Sequence, residues 1–209
     1  MDRHDNETLD AVYDAKGADE IARIYDSWAE TYEADMAKAG YRHPSIATAL
    51  LARYLARGAA PILDAGAGTG LTGDWLGILG YPHVEALDIS EGMLAVARSK
   101  GVYAAFHLAA LGGELPLPAD HYAGVICAGV LTTGHVGAEA LQGLLAVTRP
   151  GGVLVLTVKD TVWFGGFEAA VEAAATAGEL RVLEITRPYV SMPGEAGTDP
   201  GRAVVLGRT

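Results

Sequence analysis

The sequence predicts an α/β protein with a single doubly wound, mostly parallel seven-stranded sheet, preceded by an N-terminal helical lid. Two observations lead to this prediction. Short apolar runs with strand character alternate with segments of helical periodicity over residues 59–209, which is typical of a parallel sheet covered by helices on both faces. The chain of 209 residues is also long enough to bury one full hydrophobic core. We therefore expect one domain that includes the lid.

The N-terminal part of the chain is predicted to be mainly helical. Residues 1–18 are expected to form a flexible N-terminus, and residues 19–58 a helical cap on the core. A first helix covers 19–39, and a second runs from about Pro44, a favourable first-turn residue, to Arg57. The apolar and aromatic side chains near one face of the first helix are Ile21, Ile24, Tyr25, Trp28 and Tyr32.

Strands and helices then alternate through residues 59–209, which form the predicted α/β core. The predicted strands span 61–65, 83–88, 102–108, 122–128, 153–159, 180–189 and 203–208. The predicted helices span 70–79, 90–100, 137–148 and 166–177. The last two strands flank a loop rich in Gly and Pro, so we expect them to pair as a closing hairpin. An antiparallel strand at one edge is compatible with a mainly parallel sheet.

Composition and charge exclude several classes of protein. Hydrophobic residues make up 50% of the chain and charged residues 20%, as in globular rather than disordered proteins. The net charge is −11 and no Lys/Arg cluster is found, so neither nucleic acid nor an anionic membrane is an expected partner. The histidines are scattered without metal-ligand spacing, so no metal site is predicted.

The sequence also bears on the cellular location. The first residues are polar, and no apolar run reaches the length of about 20 residues that crosses a membrane, so neither a signal peptide nor a membrane span is predicted. The single cysteine, Cys127, cannot form an intrachain disulfide and is expected to be a buried, inert thiol. We therefore expect a cytoplasmic protein.

The segment Pro61-Ile-Leu-Asp-Ala-Gly-Ala-Gly-Thr-Gly70 is the most informative about function. Its three alternate glycines allow positive φ angles and a close approach of ligand to backbone. The dinucleotide fingerprint places its third glycine one residue later, where this chain has Leu71. Asp64 would repel a pyrophosphate and suits a ligand with an ammonium group and no phosphate, such as S-adenosylmethionine (SAM). The alternative is a glycine turn that merely joins a strand to a helix.

A second signal follows at the end of the next predicted strand, His83-Val-Glu-Ala-Leu-Asp88. Asp88 lies 22 residues after Gly66, and a carboxylate at this position can accept hydrogen bonds from both ribose hydroxyls of a nucleoside. The alternative is that Asp88 caps a helix, but Ser90 already suits that position. Both signals together predict SAM as the cofactor. The ends of the strands place Asp64, Asp88, Ala128 and the loop after Lys159 at one edge of the sheet.

Four segments recur together in a known group of proteins. They are Tyr25-Asp-Ser-Trp-Ala-Glu-Thr-Tyr32, the glycine loop 64–70, Asp88-Ile-Ser-Glu-Gly-Met-Leu94 and Cys127-Ala-Gly-Val-Leu-Thr-Thr-Gly-His135. Over roughly residues 20–158 the chain resembles the Rossmann-like class I SAM-dependent methyltransferases, and in particular the Williams–Beuren syndrome region methyltransferase-like proteins. The resemblance implies methyl transfer from SAM.

The resemblance also implies a role for individual residues. The backbone of Gly66 and Ala128, with Asp64 acting through water, would hold the methionine part of SAM, and Asp88 the ribose. Further cofactor-binding residues implied in the same way are Ala65, Gly68 and Thr69 in the loop, Ile89 and Met93 flanking adenine, and Tyr25, Trp28 and Tyr32 in a capping helix. The alternative for the aromatic helix is ordinary amphipathic packing in the core.

One departure from the family pattern concerns the adenine. Such proteins usually carry an acidic residue after the third strand that accepts the adenine amino group, whereas Phe106-His-Leu-Ala-Ala-Leu111 has none. We expect backbone groups near Ala110 and Leu111 to hold adenine instead. Loss of one neutral hydrogen bond costs about 1 kcal/mol, or about fivefold in affinity.

His135 is the best candidate for a catalytic group. Methyl transfer is an in-line displacement that depends mainly on alignment and exclusion of water, and a general base helps only where the acceptor loses a proton. His135 follows the fourth strand and faces the cofactor edge. The alternative is a structural histidine that caps the following helix. Asp26, Tyr25 and Trp163 are weaker candidates for lining an acceptor pocket.

The sequence thus predicts a SAM-dependent methyltransferase that acts on a small-molecule substrate. Because fold does not determine function, two alternatives stay open. One is an enzyme that cleaves or rearranges the sulfonium of SAM without an acceptor. The other is a non-catalytic SAM-binding protein.

Overall fold

The structure, a computed structural model, describes residues 7–15, 17–132, 134–195 and 198–209. Residues 1–6 of the predicted flexible N-terminus lie outside the described residues. The described strands form one sheet in the order β3-β2-β1-β4-β5-β8-β6, and the short β7 pairs with β8. Their bounds are β1 Ile62–Ala65, β2 Val84–Asp88, β3 Ala105–Leu108, β4 Tyr122–Leu131, β5 Thr148–Lys159, β6 Leu180–Ile185, β7 Tyr189–Val190 and β8 Pro200–Arg208.

The pairing of the strands confirms the predicted fold class. Strands β1 to β5 pair in parallel, β8 runs antiparallel to β5, and β6 runs antiparallel to β8. The predicted strand over 180–189 is wrong in one respect, because β6 ends at Ile185 and β7 begins at Tyr189. Pro188 lies in the gap and has no N–H group for the ladder.

The helices of the core cover both faces of the sheet, as predicted from the alternation of elements. Their bounds are α4 His43–Tyr54, α5 Leu71–Ile78, α6 Glu91–Ser99, α7 Ala140–Val147, α8 Asp160–Val162 and α9 Glu168–Thr176, with a π-helical turn Trp163–Phe167 between the last two. One buried cluster lies on each face of the sheet. Cys127, on β4, is fully buried as expected.

The N-terminal helices differ from the prediction. A helix α1, Glu7–Asp14, lies in the segment expected to be flexible. The single helix expected over 19–39 is divided into α2 Ala18–Trp28 and α3 Tyr32–Ala39, with a turn in which the Thr31 N–H donates to the Trp28 carbonyl. Across this turn the Trp28 indole N–H donates to Asp35 Oδ2 at 2.9 Å.

Helices α1, α2 and α3 share a small core of their own. Its buried members are Val12, Trp28, Met36, Ala39 and Met192. Helix α2 also packs on α6, next to the carboxyl edge of the sheet. The helical cap is therefore a folded layer over that edge. Within the described part of the chain, no helix is both long and apolar enough to span a membrane.

Candidate active site

A cavity of about 160 Å³ opens at the carboxyl ends of β1, β2 and β4. The strand order changes direction between β1 and β4, and ligands of open α/β sheets bind at this point. The predicted site residues on its wall are Tyr25, Tyr32, Gly66, Gly68, Asp88, Ile89, Met93, Ala110, Leu111, Ala128 and His135. The sequence did not single out several further wall residues, among them Ile21, Tyr41, Ala109, Gly129, Val130 and Val136.

The glycine loop joins β1 to α5 and forms one side of the cavity. The N–H groups of Gly66 and Ala67 both donate to the Leu87 carbonyl, at 2.7 and 3.0 Å, which fixes the loop against β2. Gly66 has φ of 80°, and a Cβ there would lie 2.1 Å from a Val130 methyl group. Gly68 has φ of 54° and faces open space. The loop therefore needs glycine at both positions and leaves its backbone accessible to a ligand.

Asp88 uses both carboxylate oxygens to fix the loop and the start of α6. Its Oδ2 accepts from the Gly68 N–H at 2.8 Å, and its Oδ1 accepts from the Ser90 N–H at 2.9 Å. A carboxylate can accept about four hydrogen bonds, so Asp88 retains acceptor capacity beyond these backbone bonds. Burial raises the pKa of Asp88, and the backbone N–H groups partly oppose that rise. The side chain lies on the cavity wall, as the sequence predicts.

Asp64 lies beneath the glycine loop and not on the cavity wall. Its side chain is fully buried, and Oδ2 accepts from the Tyr103 hydroxyl at 2.6 Å, whereas Oδ1 is buried and has no hydrogen-bond partner among the residues that the structure describes. Burial raises the pKa of Asp64 from 3.8 to about 7; the Tyr103 bond lowers it and the Asp88 charge raises it further. The sequence placed Asp64 at the mouth of the loop, and in the structure the residue is buried against Tyr103 and is not among those on the cavity wall.

Three other predicted cofactor residues also lie off the wall. Ala65 is the last, fully buried residue of β1, and Thr69 is 1% exposed within the loop. Trp28 is 3% exposed in the small core of the cap. Its indole N–H donates to Asp35, and the residue is not among those on the wall of the larger cavity.

Helix α2 covers the cavity and is anchored to α6 by a carboxylate. Asp26 Oδ1 accepts from the Ser90 hydroxyl at 2.5 Å and from the Gly92 N–H at 2.8 Å. The same Ser90 oxygen accepts from the Met93 N–H at 3.0 Å, so it caps α6. A Cβ at Gly92 would lie 2.9 Å from the Asp26 Cα, so glycine is what permits this close approach. Asp26 is therefore a helix anchor and not a wall residue.

His135 joins the loop after β4 to helix α2. Its Nε2 lies 3.0 Å from the Tyr25 hydroxyl oxygen, and its Nδ1 lies 2.8 Å from the Thr132 hydroxyl oxygen. Helix α7 begins at Ala140 after the N-cap residue Glu139, so His135 is not its N-cap. Trp163, another candidate, is 2% exposed and packs beside Phe167 in the core.

A second, smaller cavity of about 30 Å³ adjoins the first. The two cavities share the wall residues Tyr25, Tyr32, Tyr41, Gly129 and His135. Two buried titratable side chains on the smaller wall, His43 and Lys159, were not singled out in the sequence as site residues. The sequence offered only the position of Lys159 at the end of a predicted strand. Nothing in the pattern placed His43 beside it.

Comparison with known proteins agrees with this architecture. Residues 62–152 match the family model described as a methyltransferase domain. The chain is 35% identical over 165 residues to methyltransferase-like protein 27 of Homo sapiens, a match that covers 76% of this chain and 67% of the human protein.

Solved structures show the same fold at lower identity. A TehB-like SAM-dependent methyltransferase from Corynebacterium glutamicum has a TM-score of 0.64 at 20% identity, and the match covers 88% of this chain and 98% of that one. The cyclase SpnF has a TM-score of 0.66 at 16% identity, with 93% and 97% coverage. The similarity to the human protein supports a family assignment as well as a fold. The chain belongs to the class I SAM-dependent methyltransferases and uses S-adenosylmethionine as its cofactor.

Proposed function

We propose that this methyltransferase acts on a small-molecule acceptor that is enclosed between the cofactor cavity and the N-terminal helices. The observation that supports this most strongly is the position of α2 over the cavity, where Asp26 anchors it to α6 and Tyr25 contacts His135. A macromolecular acceptor would need this layer to move away. The charge of −11 also disfavours nucleic acid as an acceptor.

The cofactor residues fit a SAM molecule laid along the carboxyl edge. When bound, SAM supplies an electrophilic methyl carbon on a sulfonium centre. Asp88 would accept the two ribose hydroxyls with its remaining acceptor sites, and Ile89 and Met93 would flank the adenine. The backbone at Gly66 and Ala128 would hold the methionine part, with Gly68 allowing the close approach.

The adenine end is expected to depend on the backbone near Ala110 and Leu111, since both line the cavity. Tyr25 and Tyr32 would cap the cofactor and exclude water from the sulfonium. We assign Trp28 a supporting role, because it packs behind both tyrosine rings, at centroid distances of 6.1 and 5.0 Å. Asp64 would act on the cofactor through its negative charge beneath the loop.

For acceptors that must lose a proton, we propose that His135 is the general base. One of its nitrogens is paired with Thr132, which orients the ring, and the other faces the Tyr25 hydroxyl at the cavity wall. The tyrosine hydroxyl can pass a proton from acceptor to imidazole, so the two side chains would act as one unit. For acceptors without a proton to lose, the same pair would only position helix α2.

A cytoplasmic location is part of this proposal. The buried, unpaired thiol of Cys127 is compatible with a reducing compartment. Fractionation of cells that make the protein, followed by immunoblotting, would test the location directly.

One incubation separates this proposal from its alternatives. The protein is incubated with SAM, alone and with a panel of small acceptors, and the products are analysed by mass spectrometry. S-adenosylhomocysteine that forms only with an added acceptor supports transfer. Turnover of SAM without any acceptor supports cleavage or rearrangement of the sulfonium, which the fold shared with a cyclase does not exclude.

Absence of turnover under every condition would favour a non-catalytic SAM-binding protein. Calorimetry on the same sample provides the control for a competent site. We expect micromolar binding of SAM and S-adenosylhomocysteine and no binding of NAD, because the third glycine of the dinucleotide pattern is replaced by Leu71.

A further inference from the structure

The charge on the wall of the smaller cavity is positive. Lys159, the last residue of β5, is its cationic wall residue, and no carboxylate lies on the wall among the described residues. The lysine is 4% exposed. Its Nζ donates to the Ser191 hydroxyl at 3.0 Å and to the Asp199 carbonyl at 2.7 Å. An ammonium group has three donors, so one is left after these two bonds.

Lys159 also lacks a counterion within ion-pair distance in the described part of the chain. Asp160 follows it directly, but that carboxylate is held by Arg202 at 2.8 Å. A buried cation is costly unless it is paired, and here its partners are two neutral oxygen atoms. Such a group at the carboxyl edge of the sheet, beside a cofactor cavity, is a candidate for binding an anion.

Lys159 stays positively charged near neutral pH, and three titratable groups face it. They are His43 at the start of α4, Asp160 at the start of α8, and Asp199 before β8. Burial lowers the pKa of Lys159 to about 8, and Asp199 and Asp160 oppose that change. Burial, with a smaller effect from Lys159, lowers the pKa of His43 to about 3, so His43 stays neutral.

We propose that the smaller cavity binds the carboxylate group of the methyl acceptor, with Lys159 as the residue that selects an anionic acceptor. This inference rests on the proposed function, since it specifies the acceptor of the same site. The two cavities share an aromatic wall, with Tyr25 and Tyr41 among its members, and Lys159 lies on the wall of the smaller one. An acceptor anchored at Lys159 would extend past these rings towards the transferable methyl group.

Size and charge favour a carboxylate over a phosphate. A space of about 30 Å³ holds one or two water molecules, so it admits a small polar group. A phosphate dianion is larger, and a single ammonium group would leave one of its charges buried and uncompensated. The Ser191 hydroxyl, already bonded to Nζ, supplies a second polar group at this point.

The test compares matched carboxylates and amides as probes of the protein saturated with S-adenosylhomocysteine. Acetate, benzoate and phenylacetate are titrated against acetamide, benzamide and phenylacetamide, with binding followed by ligand-detected NMR. We expect at least one carboxylate to bind about tenfold or more tightly than its amide. Affinity should decrease as the pH rises through about 8, where Lys159 loses its charge. Equal affinity for acids and amides would overturn the proposal.

Variants locate the binding site. Lys159→Met should abolish the preference for the carboxylate, and Lys159→Arg should keep part of it. Arg53→Met removes an exposed cation on α4, paired with Glu184, and should leave binding unchanged. A preference that survives Lys159→Met would show that the anion binds elsewhere.

Affinity for S-adenosylhomocysteine and thermal unfolding are measured in each sample, because Lys159 also holds the segment containing Ser191. If the methionine variant does not fold, the arginine variant and the pH profile of the wild-type protein decide the question. A protein that binds S-adenosylhomocysteine but shows no preference for carboxylates refutes only this inference. A protein that does not bind S-adenosylhomocysteine refutes the proposed function itself.

Discussion

Replacement of Asp64 by asparagine should stabilise the protein at neutral and alkaline pH. Asp64 is fully buried under the glycine loop, and its burial raises the pKa from 3.8 to about 7. Between about pH 4 and pH 7 the folded protein therefore holds a proton that the unfolded chain has already released. The free energy of unfolding decreases as the pH rises through this window, and the loss is complete above it.

The size of the effect follows from the same shift. A change in pKa from 3.8 to about 7 corresponds to roughly 4 kcal/mol as an upper bound. Asparagine avoids this penalty, because it carries no charge and its oxygen can still accept from the Tyr103 hydroxyl. Near pH 4 the two proteins should be almost equally stable. Near pH 8 the variant should be more stable by up to that amount.

Equilibrium unfolding in urea at several pH values measures this difference directly. Carboxylates distant from Asp64 titrate in both proteins and cancel in the comparison, whereas Asp88 is coupled to Asp64. Glu172→Gln, on the exposed surface of α9, is the matched control and should give only a small difference in stability at each pH. The reasoning is refuted if Asp64→Asn is less stable than wild type near pH 8, or if the difference is constant from about pH 5 to pH 8.

The same variant tests whether the charge beneath the loop serves the cofactor. SAM carries a sulfonium charge that S-adenosylhomocysteine lacks, so an ionised Asp64 should favour SAM in particular. We expect Asp64→Asn to weaken the binding of SAM more than that of S-adenosylhomocysteine in calorimetry at about pH 8. Greater stability with poorer cofactor discrimination would be a trade-off between stability and function. Equal losses for both ligands would show that Asp64 does not act through the sulfonium charge.

Three further predictions concern the walls of the larger cavity. Asp88→Ala should lower the affinity for both SAM and S-adenosylhomocysteine at least tenfold, because each hydrogen bond to a charged group contributes about 1.5 to 3 kcal/mol. The circular dichroism spectrum should stay native, and Glu91→Gln is the control. Unchanged affinity would show that the ribose binds elsewhere. Residues 19–39 should gain protection from hydrogen exchange when S-adenosylhomocysteine binds, and Asp26→Asn should reduce that gain. High protection both with and without S-adenosylhomocysteine would show that the cap is permanently packed. His135→Gln should lower kcat with little change in S-adenosylhomocysteine affinity, whereas an unchanged kcat and pH profile would leave His135 a purely structural role.

The features that sequence could predict are those determined by short-range spacing. The glycine loop follows directly on β1, and Asp88 ends β2, so one strand–loop–helix unit places each of them at the carboxyl edge. The alternation of strands and helices predicted the fold in the same way, since each element must bury one face. These predictions did not require knowledge of distant contacts.

The features of the site that the sequence could not predict involve contacts between distant residues. Tyr103 lies 39 positions from Asp64, and its hydroxyl donates to the buried carboxyl group. The aromatic pattern over 19–39 assumes one continuous helix. The chain instead turns after Trp28, so Tyr32 belongs to α3 and the Trp28 indole lies in the core of the cap. Periodicity describes a face only as long as the helix continues.

The sequence by itself determined the α/β class, the glycine loop and the acid at the end of β2, because backbone geometry converts their spacing into position. Only the tertiary structure decided which carboxyl group faces the cavity and which is buried beneath it. It alone brought Lys159 to Ser191, 32 residues away, and placed His43 on the wall of the same small cavity. These contacts depend on how separate elements pack in three dimensions, and that packing cannot be predicted from a local pattern of residues.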